Sequence, residues 1–207
     1  MIRRTTVARG ITAVLVIANL CLLVIYLSGW TNPSGQNNKK TVVQPPSLVK
    51  EPLEITIEHR GQSIKSNEEF DGDADWLRNL KLKINNRSEK AITYVVLDLT
   101  FPETATAENG RVGLHQIRLG ASPDLPLGGA QFYLAPGASK EISLDSEYPD
   151  MRKLIESRIP VDRITKIVIR LETALFDDGI KWFAGSLYRR NPNRNDPHKW
   201  IPLTANP

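Results

Sequence analysis

The longest uninterrupted apolar segment lies near the N-terminus of the chain. Residues 10–27 read GITAVLVIANLCLLVIYL and contain no charged side chain. At about 1.5 Å per residue, a helix of this length just crosses the hydrocarbon core of a bilayer, and Tyr26 and Trp30 are suited to its interface. The pattern predicts a single transmembrane helix: residues 1–30 form a cytoplasmic tip and a membrane anchor, which contacts the lipid bilayer through residues 10–27.

A cleaved secretory signal is the main alternative to a retained anchor. The apolar region of such a signal is normally about 7 to 15 residues long and ends in small residues at the cleavage site. Here the segment is longer and ends in Leu27-Ser28-Gly29-Trp30. A twin-arginine signal beginning at Arg3-Arg4 lacks the rest of that pattern. The retained anchor is therefore the favoured interpretation.

The positive charges around this segment predict its orientation. Arg3, Arg4 and Arg9 precede it, whereas the nearest positive charges beyond it are Lys39 and Lys40. Because positively charged flanks remain in the cytoplasm, the C-terminal part is expected outside the cytoplasmic membrane, in the periplasm or at the cell surface.

A polar segment follows the predicted anchor. Residues 31–52 read TNPSGQNNKKTVVQPPSLVKEP and show no apolar period. Pro45-Pro46 favours an extended backbone, and a flexible chain of this length spans roughly 25 Å. The segment is predicted to be a flexible linker.

Apolar and polar side chains alternate from Leu53 onward, which is typical of strands with one buried face. Both faces of the segment 91–101 are largely apolar, so this strand is expected to be central and covered on both sides. The strands predicted by alternation cover residues 53–58, 80–85, 91–101 and 166–171, and weaker ones cover 111–119, 131–134 and 139–144.

One segment has helical spacing instead. Met151, Leu154 and Ile155 recur at helical intervals between Pro149, which suits a first turn, and Pro160, which stops the segment. A short helix is predicted here, with its apolar side closing one end of the domain.

The sequence Phe176-Asp177-Asp178-Gly179-Ile180-Lys181-Trp182 predicts a hairpin with a tight primed turn at Asp-Gly. Many short strands, one helical insertion and no alternation of strands with helices predict an all-β fold. The expected architecture is an immunoglobulin-like antiparallel β-sandwich over residues 53–188, preceded by the transmembrane helix. Residues 189–207 are predicted to form a basic Pro/Asn-rich C-terminal tail.

The segment Ile84–Ile92 reads INNRSEKAI and contains the pattern N-x-S-x-K-x-I. It resembles the strand–turn–strand opening of small bacterial envelope sandwiches, including FxLYD-like domains. Together with the FDDG hairpin, it is similar to N-terminally anchored envelope proteins of environmental bacteria over about residues 53–190. The resemblance implies an immunoglobulin-like fold and a cell-envelope setting, and it carries no catalytic residues.

Composition and charge then exclude some classes of function. The chain is 41% hydrophobic and 24% charged, which is typical of a globular protein, and it has 27 basic and 23 acidic residues. Three of the arginines flank the predicted anchor, so the remainder is nearly neutral. We therefore expect no nucleic-acid partner.

An acidic loop, defined here as residues 68–75, contains Asp71, Asp73 and Asp75 at a spacing with which a loop can present oxygens to Ca²⁺. The EF-hand pattern fails, because Trp76 and Leu82 occupy the sixth and twelfth positions. The favoured interpretation is a solvated loop without a cofactor. A calcium-dependent adhesion module with these three aspartates as ligands is an alternative.

Sequence signatures of catalysis are missing. The chain contains no G-x-S-x-G, no H-E-x-x-H and no Gly-rich phosphate loop, and nothing local pairs His59, His115 or His198 with a nucleophile. The prediction is a protein without enzymatic activity and without catalytic residues. A secreted or surface hydrolase whose site is built from distant carboxylates remains the alternative.

The run from Tyr188 to Trp200 combines basic and aromatic residues. On an extracytoplasmic domain it could meet an envelope protein or an acidic glycan. The candidate binding residues are Arg189, Arg190, Arg194, Lys199 and Trp200. In the alternative interpretation, Trp200 packs back on the sandwich and the arginines are only solvated.

Together, these patterns predict a membrane-anchored extracytoplasmic β-sandwich. The role that the sequence predicts is a non-catalytic binding or structural module of the cell envelope, because loops on a rigid sandwich can form a working surface. The specific ligand and the oligomeric state are not indicated by the sequence.

Overall fold

A computed structural model describes residues 38–107, 110–122, 124, 131–193, 196 and 199–203. The predicted anchor and the candidate binding residue Arg194 lie outside these residues. Within the described part of the chain, no helix is both long enough and apolar enough to cross a bilayer.

The described residues are mostly β-structure with one α-helix. The strands are β1 (Lys39–Val43), β2 (Leu53–His59), β3 (Gln62–Ile64), β4 (Glu69–Asp71), β5 (Leu80–Asn86), β6 (Ile92–Phe101), β7 (Gly113–Leu119), β8 (Ser139–Ser143), β9 (Lys166–Phe176), β10 (Lys181–Phe183), β11 (Ser186–Arg190) and β12 (Trp200–Pro202). The helix α1 is Tyr148–Glu156, and short 3-10 turns cover Pro102–Thr104 and Val161–Arg163. The prediction of an all-β domain with one short helix is confirmed.

Two sheets form a sandwich-like arrangement. The larger sheet has β6 at its centre, between β7 and β9. The edge of β9 that faces away from β6 pairs with two strands. Its first residues pair with β1, which in turn pairs with β4. Its later residues pair with β10, and β11 and β12 follow in that order. The smaller sheet has the order β3-β2-β5-β8. One hydrophobic cluster fills the interior with side chains from both sheets, among them Leu82, Ile84, Leu97, Leu99, Ile169 and Leu171.

The predicted alternation is clearest in β5. Its apolar residues Leu80, Leu82 and Ile84 are buried, while Lys81 and Lys83 between them are exposed. The central strand β6 is buried on both faces over most of its length, as expected from its two apolar faces. The hydrophobic pattern therefore identifies both strands correctly.

Strand β1 corrects two predictions. It lies within residues 31–52, which the sequence predicts to be a flexible linker, and it pairs in parallel with β9, so the sandwich is not purely antiparallel. Val42 is fully buried at this junction. The strand depends on pairing with residues far along the chain, and its five residues carry too short an alternation to indicate that partner.

The C-terminal boundary also differs from the prediction. Strand β11 continues through Arg190, and β12 pairs antiparallel with it, with Arg190 opposite Trp200 and Tyr188 opposite Pro202. The described part of residues 189–207 therefore extends the larger sheet. The strand predicted over residues 131–134 is reduced to a single bridge between Leu134 and Ile92.

The hairpin between β9 and β10 forms, but its turn is not the primed turn that the sequence predicts. The Phe176 amide donates to the Ile180 carbonyl at 2.9 Å, so the loop has three residues, of which Gly179 alone has a positive φ of 80°. The Asp177 amide donates to the Ala91 carbonyl at 3.0 Å. This tertiary bond fixes the first loop residue, and a type I turn followed by glycine results.

Candidate binding cleft

Two of the predicted binding residues come together through the register of β11 and β12. Trp200 Nε1 donates to Asp124 Oδ2 at 3.1 Å, and Arg190 Nη2 donates to Asp124 Oδ1 at 3.2 Å. Asp124 lies in the β7–β8 connection and thus ties both residues to the rest of the larger sheet. The alternative interpretation, in which Trp200 packs back on the sandwich, is closer to the structure.

The other two described candidates, Arg189 and Lys199, do not join this pair. Arg189 lies opposite Ile201, one residue along the strand from Arg190, so the two arginines point to opposite faces of the sheet. Lys199 is exposed, and its carbonyl accepts the Asn191 amide at 2.9 Å. The four described candidates therefore do not form one basic patch.

The sequence analysis missed the central side chain of this region, Lys181. Its ammonium lies 3.9 Å from the ring centre of Trp200 and 5.9 Å from the ring centres of both Phe183 and Tyr188. The Arg190 guanidinium carbon is 5.1 Å from the same Trp200 ring. Aromatic faces attract cations at these distances. Burial lowers the pKa of Lys181.

A cleft of about 270 Å³ opens beside Lys181 on the outer face of the larger sheet, opposite the side chains that fill the core. It crosses strands β7, β6, β9 and β10. Its lining residues are Tyr94, Val96, Gln116, Arg118, Ser122, Asp124, Glu172, Thr173, Leu175, Lys181 and Phe183. Phe183 is 39% exposed, which leaves an aromatic surface open on the rim.

An ordered polar network forms the other side of this outer-face cleft. Gln116 Nε2 donates to Asp98 Oδ1 at 3.0 Å and to Glu172 Oε2 at 3.1 Å. Arg170 Nη2 pairs with Asp98 Oδ2 at 3.1 Å, and Arg118 Nη2 donates to Gln116 Oε1 at 2.6 Å. Burial, and then the charge of Asp98, raise the pKa of Glu172. The network fixes the Gln116 amide and holds Glu172 at the cleft wall.

Strand register explains this placement. Gln116 lies opposite Asp98 on neighbouring strands, and Lys181 lies opposite Leu175 on β9. One signal in the sequence could have drawn attention to the site: Asp98 is the only charged residue in the otherwise apolar run YVVLDLTF. A charge in a central strand needs a partner, and such positions are often functional.

The acidic loop does not gather its carboxylates. Asp71 pairs with Lys39 at 3.0 Å, Asp73 pairs with Arg60, and Asp75 accepts the Tyr148 hydroxyl at 2.8 Å. Among the described residues, no three His, Cys, Asp or Glu side chains are placed to hold a metal ion. Burial, with the bond to Asp75, raises the pKa of Tyr148 to about 12. The structure thus separates the three predicted ligands onto different partners.

Two other grooves are larger than the outer-face cleft. One, of about 770 Å³, lies between the β1–β2 connection and β9; the other, of about 660 Å³, lies beside the acidic loop. Their guanidinium groups are already bonded to carboxylates: Arg87 to Glu54 and Arg170 to Asp98 in the first, and Arg60 to Asp73 and Arg78 to Asp145 in the second. Lys50 in the first groove is exposed, whereas Lys181 is half-buried and its ammonium, which lies over the Trp200 ring, donates no hydrogen bond to any described residue. We therefore take the smaller cleft as the candidate site.

The two histidines that the structure describes, His59 and His115, contact residues away from the outer-face cleft. His115 Nε2 lies 2.9 Å from Glu147 Oε2 at the start of helix α1, and His59 is buried against Phe70, with ring centres 5.0 Å apart. Burial lowers the pKa of His59. His198 lies outside the described residues. Neither described histidine lines the outer-face cleft.

No family model matches the chain, and comparisons with curated proteins and with solved structures found no match. The resemblance to FxLYD-like envelope domains therefore stays a prediction from its short motif.

Proposed function

We propose that the chain is a single-pass, membrane-anchored β-sandwich of immunoglobulin-like type, presented outside the cytoplasmic membrane, that serves the cell envelope as a non-catalytic saccharide-binding module. The observation that carries the proposal is the outer-face cleft, where a cation, the Glu172 carboxylate and an exposed aromatic ring meet within about 270 Å³. A few polar groups placed around a partly apolar hollow are typical of small-ligand sites.

A saccharide fits these surfaces better than an apolar ligand does. The C–H face of a sugar ring can pack on the exposed ring of Phe183, as apolar surfaces generally do on aromatic side chains. Sugar hydroxyls can donate to Glu172 and to the second lone pair of Gln116 Oε1; both N–H groups of that amide are already donated to Asp98 and Glu172, which fixes its orientation. The cleft lies on a paired sheet, so little ordering is needed on binding.

Replacing Phe183 tests this use of the cleft. Phe183→Ala removes the exposed ring, and a lost aromatic contact of about 1.5 kcal/mol corresponds to at least roughly tenfold weaker binding. The full chain in detergent is applied to a glycan microarray, and saccharides that bind are then titrated calorimetrically. Leu114→Ala is the matched control, because Leu114 is 47% exposed on the same sheet but does not line the cleft. Binding of no saccharide, or equal binding by Phe183→Ala, contradicts the proposal.

The predicted location is tested separately. Cells expressing the full chain with an epitope tag at each end are fractionated, and intact cells or spheroplasts are then treated with protease. We expect the protein in the membrane fraction, with a C-terminal tag that protease reaches from outside. A soluble product lacking the N-terminal tag would mean a cleaved signal, and a C-terminal tag protected until lysis would overturn the orientation.

One observation favours the hydrolase alternative: Asp98 and Glu172 are both bonded to the same Gln116 amide. A glycosidase needs two carboxylates that both reach the substrate. Of these two, only Glu172 lines the cleft, since the Asp98 side chain is 6% exposed and paired with Arg170. The other carboxylate of the lining, Asp124, is bonded to Arg190 and Trp200, so binding without turnover is favoured. Incubation with a bound saccharide should return it intact, whereas products that disappear with Glu172→Gln would establish the hydrolase.

A further inference from the structure

The cationic side chains around the outer-face cleft differ in whether they have a hydrogen-bond acceptor. Arg190 is bonded to Asp124, and Arg118 is bonded to the side-chain oxygen of Gln116. The Lys181 ammonium has aromatic contacts but no hydrogen-bond acceptor among the described residues. A lysine ammonium has three donors, and burial without an acceptor penalises its charged form. An anionic acceptor arriving from a ligand would relieve that penalty.

We propose that the saccharide bound in this cleft is an acidic one, and that its carboxylate accepts hydrogen bonds from Lys181 while its ring packs on Phe183. The inference rests on the proposed function of the same cleft. It assigns the ligand class and makes Lys181, which no sequence pattern indicates, the residue that selects it.

The geometry places the two contacts at a suitable separation. Lys181 and Phe183 lie on one strand, two residues apart, so they share a face of the sheet, and the ammonium lies 5.9 Å from the Phe183 ring centre. A carboxylate attached to a sugar ring lies at the edge of that ring. One sugar residue can therefore meet both groups. Glu172 lines the same cleft from the neighbouring strand β9, and its charge, like that of Asp124, acts on Lys181; hydroxyl groups of the sugar would donate to it.

Trp200 then acts as a positioning residue. Its ring lies 3.9 Å from the Lys181 ammonium, and its indole nitrogen is held by Asp124. Because Trp200 does not line the cleft, its effect on binding passes through Lys181. The C-terminal segment that the sequence analysis singled out thus acts on binding indirectly, because its Trp200 positions Lys181, which lies outside that segment.

Two matched oligosaccharides test the assignment: an oligomer of a uronic acid and the same oligomer with its carboxylates reduced to primary alcohols. The full chain is titrated with each by calorimetry at low ionic strength. We expect the wild type to bind the acidic oligomer at least tenfold more tightly than the reduced one. In Lys181→Gln this preference is expected to disappear while binding of the reduced oligomer stays within twofold of wild type.

Two variants serve as controls. Lys181→Arg keeps the charge and is expected to retain most of the preference. Lys140→Gln removes an exposed lysine from strand β8 of the smaller sheet and should bind both oligomers as wild type does. Far-ultraviolet circular dichroism verifies that each variant is folded. A sulfated oligomer of equal charge is included as a further arm, and tighter binding of the sulfated form would overturn the carboxylate assignment.

The outcomes separate this inference from the proposed function. Equal wild-type affinity for the acidic and the reduced oligomer overturns the inference and leaves the saccharide module standing. A preference that persists in Lys181→Gln overturns the role of Lys181. Failure to bind either oligomer, together with an empty glycan microarray, overturns the proposed function itself.

Discussion

Asp98 supports the polar side of the outer-face cleft, and Asp98→Asn should weaken both the fold and the network around it. The carboxylate accepts one bond from Arg170 at 3.1 Å and one from Gln116 at 3.0 Å. An asparagine can keep one of these two acceptor roles, and its amide nitrogen then faces donors. A hydrogen bond to a charged group contributes about 1.5–3 kcal/mol, and the half-exposed Arg170 recovers part of this from water. We expect a loss of about 1–2 kcal/mol.

For a domain of this size, such a loss lowers the Tm by about 2–8 °C. The measurement is thermal unfolding of the full chain, followed by circular dichroism in wild type and variant. The same substitution removes a negative charge beside Glu172. Because burial and the Asp98 charge both raise the pKa of Glu172, we expect this pKa to fall toward its ordinary value while remaining above it. Carbon-detected NMR of the side-chain carboxyls measures that pKa.

Asp145→Asn is the matched control, since its ion pair with Arg78 lies on the surface, with both side chains more than half exposed. It should leave the Tm unchanged. An unchanged Tm in Asp98→Asn, or an unchanged pKa of Glu172, would refute the reasoning, because both follow from the same buried charge.

Three further predictions concern the rest of the domain. Burial lowers the pKa of His59 below its unfolded value of 6.5, so the unfolded chain takes up the proton at a higher pH than the folded chain does. The free energy of unfolding should therefore fall as the pH is lowered through 6.5. In His59→Phe this fall should be smaller. Urea titrations between pH 8 and pH 5 measure the free energy of unfolding at each pH. The same pH dependence in wild type and His59→Phe would contradict the prediction. The carboxylates of the acidic loop have separate partners, so the Tm should be the same with calcium and with chelator; a calcium-dependent rise would restore the adhesion alternative. Leu97→Ala empties a fully buried position and should cost about 2–5 kcal/mol in denaturant unfolding, against little for the exposed Leu114→Ala; equal losses would mean that the faces of the larger sheet are misassigned.

Local patterns were sufficient to predict much of the fold. The alternation in β5 and the double apolar face of β6 each reflect burial at that strand, so single-strand patterns indicate them. Helix α1 begins near Pro149 and buries Met151 and Ile155, as its spacing predicts. The hydrophobic pattern within a strand does not show which distant segment that strand pairs with. Strand β1 exists because Val42 packs beside β9, more than a hundred residues later in the chain.

The same limit applies to the candidate site. Arg190 and Trp200 stand out in the sequence because basic and aromatic residues cluster there, and the structure brings these two together. Lys181, Glu172 and Asp98 do not stand out, since their proximity depends on the register of β6, β9 and β10. The acidic loop shows the opposite case. Its carboxylates are neighbours in sequence, but each has its own partner on another part of the chain: two pair with cations and one accepts a tyrosine hydroxyl.

The most direct test of the central claim uses the indole N–H resonances of the full chain during titration with the acidic oligosaccharide. Trp76 and Trp182 are fully buried, with indole nitrogens bonded to the carbonyls of Ile164 and Val49, whereas Trp200 is bonded to Asp124 at the cleft. If the saccharide occupies the outer-face cleft, the Trp200 resonance should shift with the binding isotherm while those of Trp76 and Trp182 stay in place. Saturable binding that leaves the Trp200 resonance unmoved would contradict the account.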